Sequence, residues 1–402
     1  MDTNLTTKKK IFFVDGLINK SASQTFTFIE KISKEKENFE PFFVTTKHEN
    51  MKWPYSKIPQ NIFRIWKNGT YVRNLYSFFK KNNPSLIHFF FELRTFGTLR
   101  SAFKFPFLLF LLRTINTKIV LTIYNPFIFK KEESWHLVEN IPFNVPTFII
   151  KSLIHLYVKL ISGLSDKIIV ENRVVKSGLE EYFRIPENKI LVINNAVAQE
   201  KEQISITKEE SYRKKFANKK IILCFGVISP RKGQSNAINA FKIIEEKLPD
   251  HILIIGGRLS PEFQLYEKQL LDTIHDLNLE EKIFYLGELD EDEINVLFEI
   301  SDIALFPYHP AIYGSGAFSF ALQYNIPSIV TSIDTFKEIL GDDGGFFVDP
   351  NNDKQLADAI VTLSTDLKIR EEIMNKMSAT SKLRSCDDIA LKHFDVYNNV
   401  LK

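Results

Sequence analysis

Ile221-Ile222-Leu223-Cys224-Phe225-Gly226-Val227-Ile228-Ser229-Pro230-Arg231-Lys232-Gly233 is the stretch on which the fold turns. Its first half is an apolar run of strand length, and such a run belongs to a strand buried on both faces, as in a parallel sheet covered by helices. Its second half is a turn carrying two adjacent cations. Beyond it, Gln234–Lys247 has apolar residues at helical spacing. A buried strand that passes through a basic turn into a helix is the opening of a βαβ unit.

The same alternation continues outward in both directions. Downstream the pattern predicts strands at Ile252–Ile255, Ile283–Leu286, Ile303–Pro307 and Ser328–Thr331, with helices at Pro261–Leu277, Asp290–Ser301 and Ala317–Tyr324 between them. Three helical segments follow, Leu356–Asp366, Ile369–Lys382 and Cys386–Leu401. Upstream it predicts strands at Ile11–Val14, Phe39–Thr45, Ile62–Trp66, Ser85–Phe91, Lys118–Ile123, Asp166–Val170 and Lys189–Ile193. Helices are predicted at Ser21–Ile32, Thr98–Arg113, Pro146–Ser162 and Arg173–Phe183. Between the two series lies Gln199–Lys220, rich in charge and poor in apolar residues, which reads as a linker. The expectation is an α/β chain of two doubly wound, Rossmann-like parallel-sheet domains facing a cleft, 1–198 and 221–384, joined by a charged linker at 199–220 and followed by a helix at 385–402. Ligands of such sheets sit beyond the carboxyl ends of the strands.

Composition bounds the function. The chain has 402 residues, 44% of them apolar and 25% charged, a globular balance with room for two cores. Two cysteines, Cys224 and Cys386, cannot build a disulfide framework and suit a reducing compartment. The first ten residues are polar and lack the apolar core of a signal peptide, and no apolar run reaches the roughly 20 residues of a membrane span. The net charge of +3 hides an asymmetry: residues 1–200 hold 29 Lys+Arg against 17 Asp+Glu, and residues 201–402 hold 23 against 32. Within 51–120, twelve basic residues stand against one acid, Glu92, interleaved with phenylalanines. That window fits an anionic membrane surface, or else a Phe-rich core ringed by solvated lysines; no nucleic-acid-binding module is recognisable in it. Phe103–Leu112, bounded by Lys104 and Arg113, poses the same choice locally, between a segment that dips into a membrane interface and a buried helix.

Two segments carry candidate chemistry. Arg231 and Lys232, held at a strand's carboxyl end after Gly226, are placed to neutralise a diphosphate. Pro307-Tyr308-His309-Pro310-Ala311-Ile312-Tyr313-Gly314-Ser315-Gly316-Ala317-Phe318-Ser319 joins a strand to a helix, and its Gly-Ser-Gly lets a ligand approach backbone amides that favour phosphate at a helix start. The signatures of other chemistries are missing: no metal-ligand spacing, no Walker loop, no Gly-x-Gly-x-x-Gly after the first strand and no Gly-x-Ser-x-Gly elbow.

At these two segments the chain resembles the retaining glycosyltransferases of family 4, within the glycosyl transferases group 1. Phe225–Gly233 is similar to that family's Gly…Lys-Gly signature, and Leu286-Gly287 through Phe306-Pro307 to its strand, helix and strand before the donor loop. Asn325-Ile326-Pro327-Ser328-Ile329-Val330 resembles its Gly-x-Pro-Val-Ile, and Glu338, Gly345–Pro350 and Leu356–Ile360 resemble its C-terminal hallmarks. Leu164–Glu171 and Lys189–Val197 resemble its last N-domain strand and the entry to its interdomain linker.

The resemblance implies a GT-B fold whose C-terminal helix crosses back to the N-domain. It implies transfer of a sugar, with retention, from a nucleotide-diphosphate donor, which is a substrate, without metal or other cofactor. The acceptor would be a growing surface polysaccharide or a polyprenyl-diphosphate-linked glycan, and the enzyme cytoplasmic and peripheral on the inner face of the cell membrane. Lys232, helped by Arg231, would contact the diphosphate, with Gly226 beside them; Ser315, Gly316 and Ala317 would hold the distal phosphate through their amides. Gly16 and Tyr313 would line the donor, and Tyr124 and Asn125 stand where the family has an N-domain histidine. The family's two donor-loop glutamates have no counterpart, since Ile312 or Tyr313 and Phe320 or Ala321 occupy their places. A non-catalytic relative that binds a partner enzyme or glycan, or a nucleotide-sugar epimerase on the same fold, are the rival readings.

Overall fold

The computed structural model describes residues 8–15, 39–47, 61–67, 69–92, 95–97, 99–124, 146–201, 204–259, 261–310 and 314–402. The predicted helix Ser21–Ile32 lies outside them. The chain divides into two compact units, Met1–Ala196 with Cys386–Lys402, and Val197–Ser385.

The first unit is built on β1 (Lys9–Asp15), β2 (Phe39–Thr46), β3 (Ile62–Trp66), β4 (Leu86–Phe91), β5 (Lys118–Ile123), β6 (Lys167–Val170) and β7 (Ile190–Val192), in the order β3-β2-β1-β4-β5-β6-β7. Every pairing is parallel. Among the described residues its helices are α1 (Tyr71–Asn82), a short helix Leu99–Ala102, α2 (Phe105–Arg113), α3 (Thr147–Leu164), α4 (Arg173–Glu181) and the C-terminal helix Cys386–Leu401.

Strand β4 shows why this sequence needs helices on both sides. All six of its residues are buried. Phe89 and Phe91 point to one face, where their rings meet Phe105 of α2 at 5.3 and 4.6 Å between centroids. His88 and Phe90 point to the other, where His88 Nδ1 lies 2.7 Å from the Tyr397 hydroxyl of the C-terminal helix and Nε2 lies 2.7 Å from Thr122 Oγ1. Phe39 and Phe394 stack at 5.3 Å on that side. The C-terminal helix therefore belongs to the first unit's core, although about two hundred residues separate it from the rest of that unit.

The sequence reading did not predict α1, and it expected one helix where the structure has two. The expected helix Thr98–Arg113 is broken: Leu99–Ala102 and α2 are separate, with a turn at Phe103-Lys104. Pro106 explains it, because proline fits the first turn of a helix and not its interior, so the helix restarts there. The resulting α2 buries Phe105, Leu108, Leu109 and Leu112, while Phe107 and Phe110 are exposed, so it is a core helix with a second apolar face. Among the described residues no helix is long and apolar enough to cross a membrane.

The second unit begins at Val197, so residues 199–220, read as a linker, form part of it. They include α5 (Ile206–Lys215), which buries none of its residues and is held by polar contacts such as Tyr212 Oη to Glu293 Oε1 at 3.1 Å and the ion pair of Lys208 with Asp290. The sheet holds β8 (Lys220–Phe225), β9 (His251–Gly256), β10 (Ile283–Gly287), β11 (Ile303–Phe306), β12 (Ser328–Thr331) and β13 (Phe346–Val348), all parallel, in the order β10-β9-β8-β11-β12-β13. Around it lie α6 (Gln234–Ile244), α7 (Gln264–Asp276), α8 (Glu291–Ile300), α9 (Gly316–Tyr324), α10 (Asp334–Leu340), α11 (Asp353–Thr365) and α12 (Leu367–Lys382). The strand order reverses between β8 and β11, and that switch point is where a doubly wound sheet opens a crevice at its carboxyl edge.

Candidate functional site

The turn after β8 and the loop after β11 leave neighbouring strands at the switch point, so the topology alone brings the two candidate segments together. After β8 the chain runs through Gly226, whose N–H donates to the Gly256 carbonyl at 3.1 Å, and Ile228, whose N–H donates to Arg258 O at 2.9 Å. A short 3-10 turn, Pro230–Lys232, then presents the two cations. Gly233 closes the turn at φ +66°, and a Cβ there would stand 1.9 Å from the Pro307 carbonyl oxygen, so only glycine lets the basic turn lie against the end of β11. The His309 N–H donates to Arg231 O at 2.9 Å, a second tie between the two segments.

Tyr308 is the residue on which the site is assembled. It is buried, with its carbonyl accepting from Thr331 Oγ1 at 2.7 Å. Lys232 Nζ sits over its ring, 3.6 Å from the centroid. Its hydroxyl lies 2.8 Å from Ser315 Oγ, which in turn accepts from the Phe318 N–H at 3.2 Å and so caps α9. A Cβ built on Gly226 would lie 3.8 Å from that hydroxyl and 3.9 Å from the Ala317 side chain. Lys232, Gly226, Ser315 and Ala317 thus lie around Tyr308, with Arg231 and Gly316 next to them in the chain.

The electrostatics follow from burial. Removal from water and the neighbouring Arg231 guanidinium pull the Lys232 ammonium down to about 7. Burial pushes the Cys224 thiol beneath it up to about 12, which leaves it unreactive, and pushes the Tyr308 phenol up as well. A cation held out of water beside a second cation is stabilised by an anion that meets both. At the start of α9, Gly316 is exposed and has no atom of the described residues within 4 Å of its Cβ position, which leaves the first amides of that helix approachable from them. Amides at a helix start add a partial positive charge to the same place.

Other expected site residues fall elsewhere. Tyr124 follows β5 in the first unit, its ring 6.2 Å from that of Phe90 and nearly parallel to it. Gly16, Asn125 and Tyr313 lie outside the described residues, as does Ile312. Phe320 and Ala321, at the second of the two places where glutamates were sought, face the core; Phe320 stacks on Phe298 at 5.4 Å. The sequence reading missed Tyr308, because an aromatic residue after an apolar strand reads as core. It also missed a polar brace behind the turn: His309 Nε2 lies 2.9 Å from Asn236 Oδ1, and Asn236 and Asn239 both donate to the Asp353 carboxylate, at 2.6 and 2.9 Å.

Comparison with known proteins places these features. Residues 205–380 match the family model described as Glycosyl transferases group 1. An uncharacterized glycosyltransferase of Methanocaldococcus jannaschii is 27% identical over 243 residues, covering 58% of this chain and 60% of the relative. The O-antigen chain mannosyltransferase RfbU of Salmonella typhimurium is 24% identical over 246 residues, covering 61% and 64%. The chain thus spans less than two thirds of the length of these curated relatives. Among solved structures, Anabaena HepE in complex with UDP and glucose superposes with a TM-score of 0.73 at 17% identity, covering 97% of this chain and 100% of that one. The likeness in structure is that of the GT-B fold, with its two Rossmann-like parallel-sheet domains. The family 4 assignment does not stand, because the model that matches is that of group 1. This is a GT-B chain whose residues 205–380 match the group 1 glycosyl transferases.

Proposed function

We propose that this protein is a glycosyltransferase that moves a sugar from a nucleotide-diphosphate donor to a growing surface polysaccharide or lipid-linked glycan, working peripherally at the inner face of the cell membrane. The observation that carries the reading is the convergence of Lys232 and the start of α9 on Tyr308. Charge in glycosyl transfer builds up on the departing diphosphate, and fixed donors and cations stabilise it without reorganising at the moment of reaction. Lys232 and Arg231 supply the cations, and the amides of Gly316 and Ala317 receive the distal phosphate. The Ser315 hydroxyl, already engaged by Tyr308 and by the helix cap, sets the direction of those amides. The bond from the anomeric carbon to the diphosphate oxygen breaks, the acceptor hydroxyl forms the new bond, and its proton leaves with the departing phosphate or a nearby base. Similarity to an O-antigen mannosyltransferase and to a fold solved with UDP and glucose supports the substrate class.

The test is release of nucleoside diphosphate from a panel of nucleotide-sugars, with and without a lipid-linked glycan extract. Acceptor-dependent release from one donor, reduced about 100-fold or more in Lys232→Ala, is the expected result. Binding of a nucleotide without any release would assign the chain to a non-catalytic role, and conversion of the donor sugar without acceptor to an epimerase.

A further inference from the structure

Helices α2 and α3 lie side by side on one face of the first unit's sheet. Arg113 Nε of α2 donates to Leu164 O at the end of α3 at 2.9 Å, and the Tyr157 hydroxyl of α3 donates to Ala102 O, in the short helix just before α2, at 3.0 Å. Their inner faces fill the core, through Leu108 and Leu112 on one and Tyr157 and Ile161 on the other. Their outer faces are apolar too. Phe107 and Phe110 lie on α2 with Phe103 in the turn before it, and Leu153, Leu156 and Leu160 lie along one face of α3, each residue between 45% and 64% exposed. Of the sixteen exposed large apolar side chains among the described residues, eight lie on these two segments, so this is a concentrated patch and not the ordinary scatter.

The charge on the patch has one sign. Residues 95–113 and 146–164 contain no Asp or Glu, and Arg100, Lys104, Lys151 and Lys159 are exposed along its length. Protruding aromatic and leucine side chains flanked by lysines and arginines, with no acid among them, match a lipid interface whose headgroups are anionic. A second copy of the same face would set these cations against one another, which argues against self-association.

We propose that the outer face of α2 and α3 seats this protein on an anionic lipid surface, with the phenylalanines of the α2 segment entering the boundary between headgroups and acyl chains. It deepens the proposed function, resting on that reading only in that a lipid-linked acceptor would be met at this surface; the lipid contact itself is read without any nucleotide, so the two can fail separately.

The test is flotation of the full chain with phosphatidylcholine vesicles, with and without phosphatidylglycerol, together with sedimentation of the protein alone. The wild type floats only when phosphatidylglycerol is present. Phe107→Ser/Phe110→Ser lowers the bound fraction about tenfold or more, Leu153→Ser/Leu156→Ser does so independently from α3, and Lys104→Glu/Lys159→Glu abolishes flotation with the phosphatidylglycerol vesicles. All three keep the wild-type Tm, since the altered side chains are at the surface. Failure of the wild type to float with either vesicle, or equal flotation of the folded variants, overturns the proposal. A dimer that Phe107→Ser/Phe110→Ser dissociates, without vesicle binding, overturns it in favour of a second copy.

Discussion

Lys232 Nζ lies 3.6 Å from the centroid of the Tyr308 ring, and the hydroxyl of that ring lies 2.8 Å from Ser315 Oγ. One aromatic side chain therefore ties the basic turn after β8 to the start of α9. The ring's negative face partly compensates a cation held near another cation, an effect worth about 0.5–2 kcal/mol.

The Lys232 ammonium, pulled down to about 7, gives donor binding a pH dependence. A nucleotide-sugar's diphosphate does not titrate near neutrality, so the protein's own groups set the slope. Affinity falls as pH rises above 7, by up to about tenfold per pH unit until the bound-state value is passed. Calorimetric titration of wild type across this range shows the fall, and Lys232→Met binds weakly with a flatter profile. The stability effect has the opposite direction. The lysine titrates lower when folded than when unfolded, so between about pH 7 and its ordinary value near 10.5 the unfolded chain holds the extra proton and stability rises with pH. The Tm of the wild type therefore gains on that of Lys232→Met as pH is raised through this window.

Gly233 and Gly316 predict opposite outcomes for the same substitution. Gly233→Ala places a methyl 1.9 Å from the Pro307 carbonyl at φ +66° and destabilises the second unit by about 2–4 kcal/mol. Gly316→Ala meets none of the described residues within 4 Å and sits in the first turn of a helix, where alanine is favoured, so it changes stability by less than about 1 kcal/mol. Its methyl stands where the distal phosphate is proposed to lie and weakens donor binding. Urea unfolding and nucleotide titration of the two variants separate these effects.

Tyr308→Phe and Ser315→Ala form a double-mutant cycle. Ser315→Ala removes the cap of α9 and leaves a buried phenol without its partner, costing about 2–3 kcal/mol. In the Tyr308→Phe background the same change costs about 1 kcal/mol, that of the cap alone. Additive costs in chemical denaturation would show that the two hydroxyls do not interact.

His88 makes the first unit acid-sensitive. It is buried, burial and the neighbouring His393 hold it well below its ordinary value, and its two nitrogens are engaged by Tyr397 and Thr122. The unfolded chain takes up a proton below about pH 6.5 that folded His88 resists, so its contribution is present at neutral pH and is lost as pH falls. Tyr397→Phe deletes one partner and costs about 1–3 kcal/mol at pH 7, read by urea unfolding.

Much of this was legible in the sequence, because buried parallel strands write themselves as continuous apolar runs: Ile221–Phe225 and Leu86–Phe91 are strands that need helices on both sides. The turn that carries Arg231 and Lys232 was legible because it lies between a buried strand and a helix. What stayed hidden depends on contacts distant along the chain. Tyr308 reads as core until Lys232, 76 positions earlier, is seen over its ring. Helix α5 reads as linker because it has no fully buried residue and is held by ion pairs at the start of α8 and by the partly buried Tyr212. The second apolar face of α2 emerges only when Phe105 is seen on Phe91, which leaves Phe107 and Phe110 turned away from the sheet. Proline 106 alone marked the helix break and was outweighed by the apolar run around it.

The most direct test of the central claim, a diphosphate site on the Arg231-Lys232 turn, is a thermal shift with UDP, GDP and ADP on wild type and Lys232→Ala. Ligand that binds only the folded state raises the Tm with its excess over Kd. The account predicts a rise with one of the three nucleotides that is lost in Lys232→Ala. An equal rise in the variant, or no rise with any of them at millimolar concentration, would contradict it.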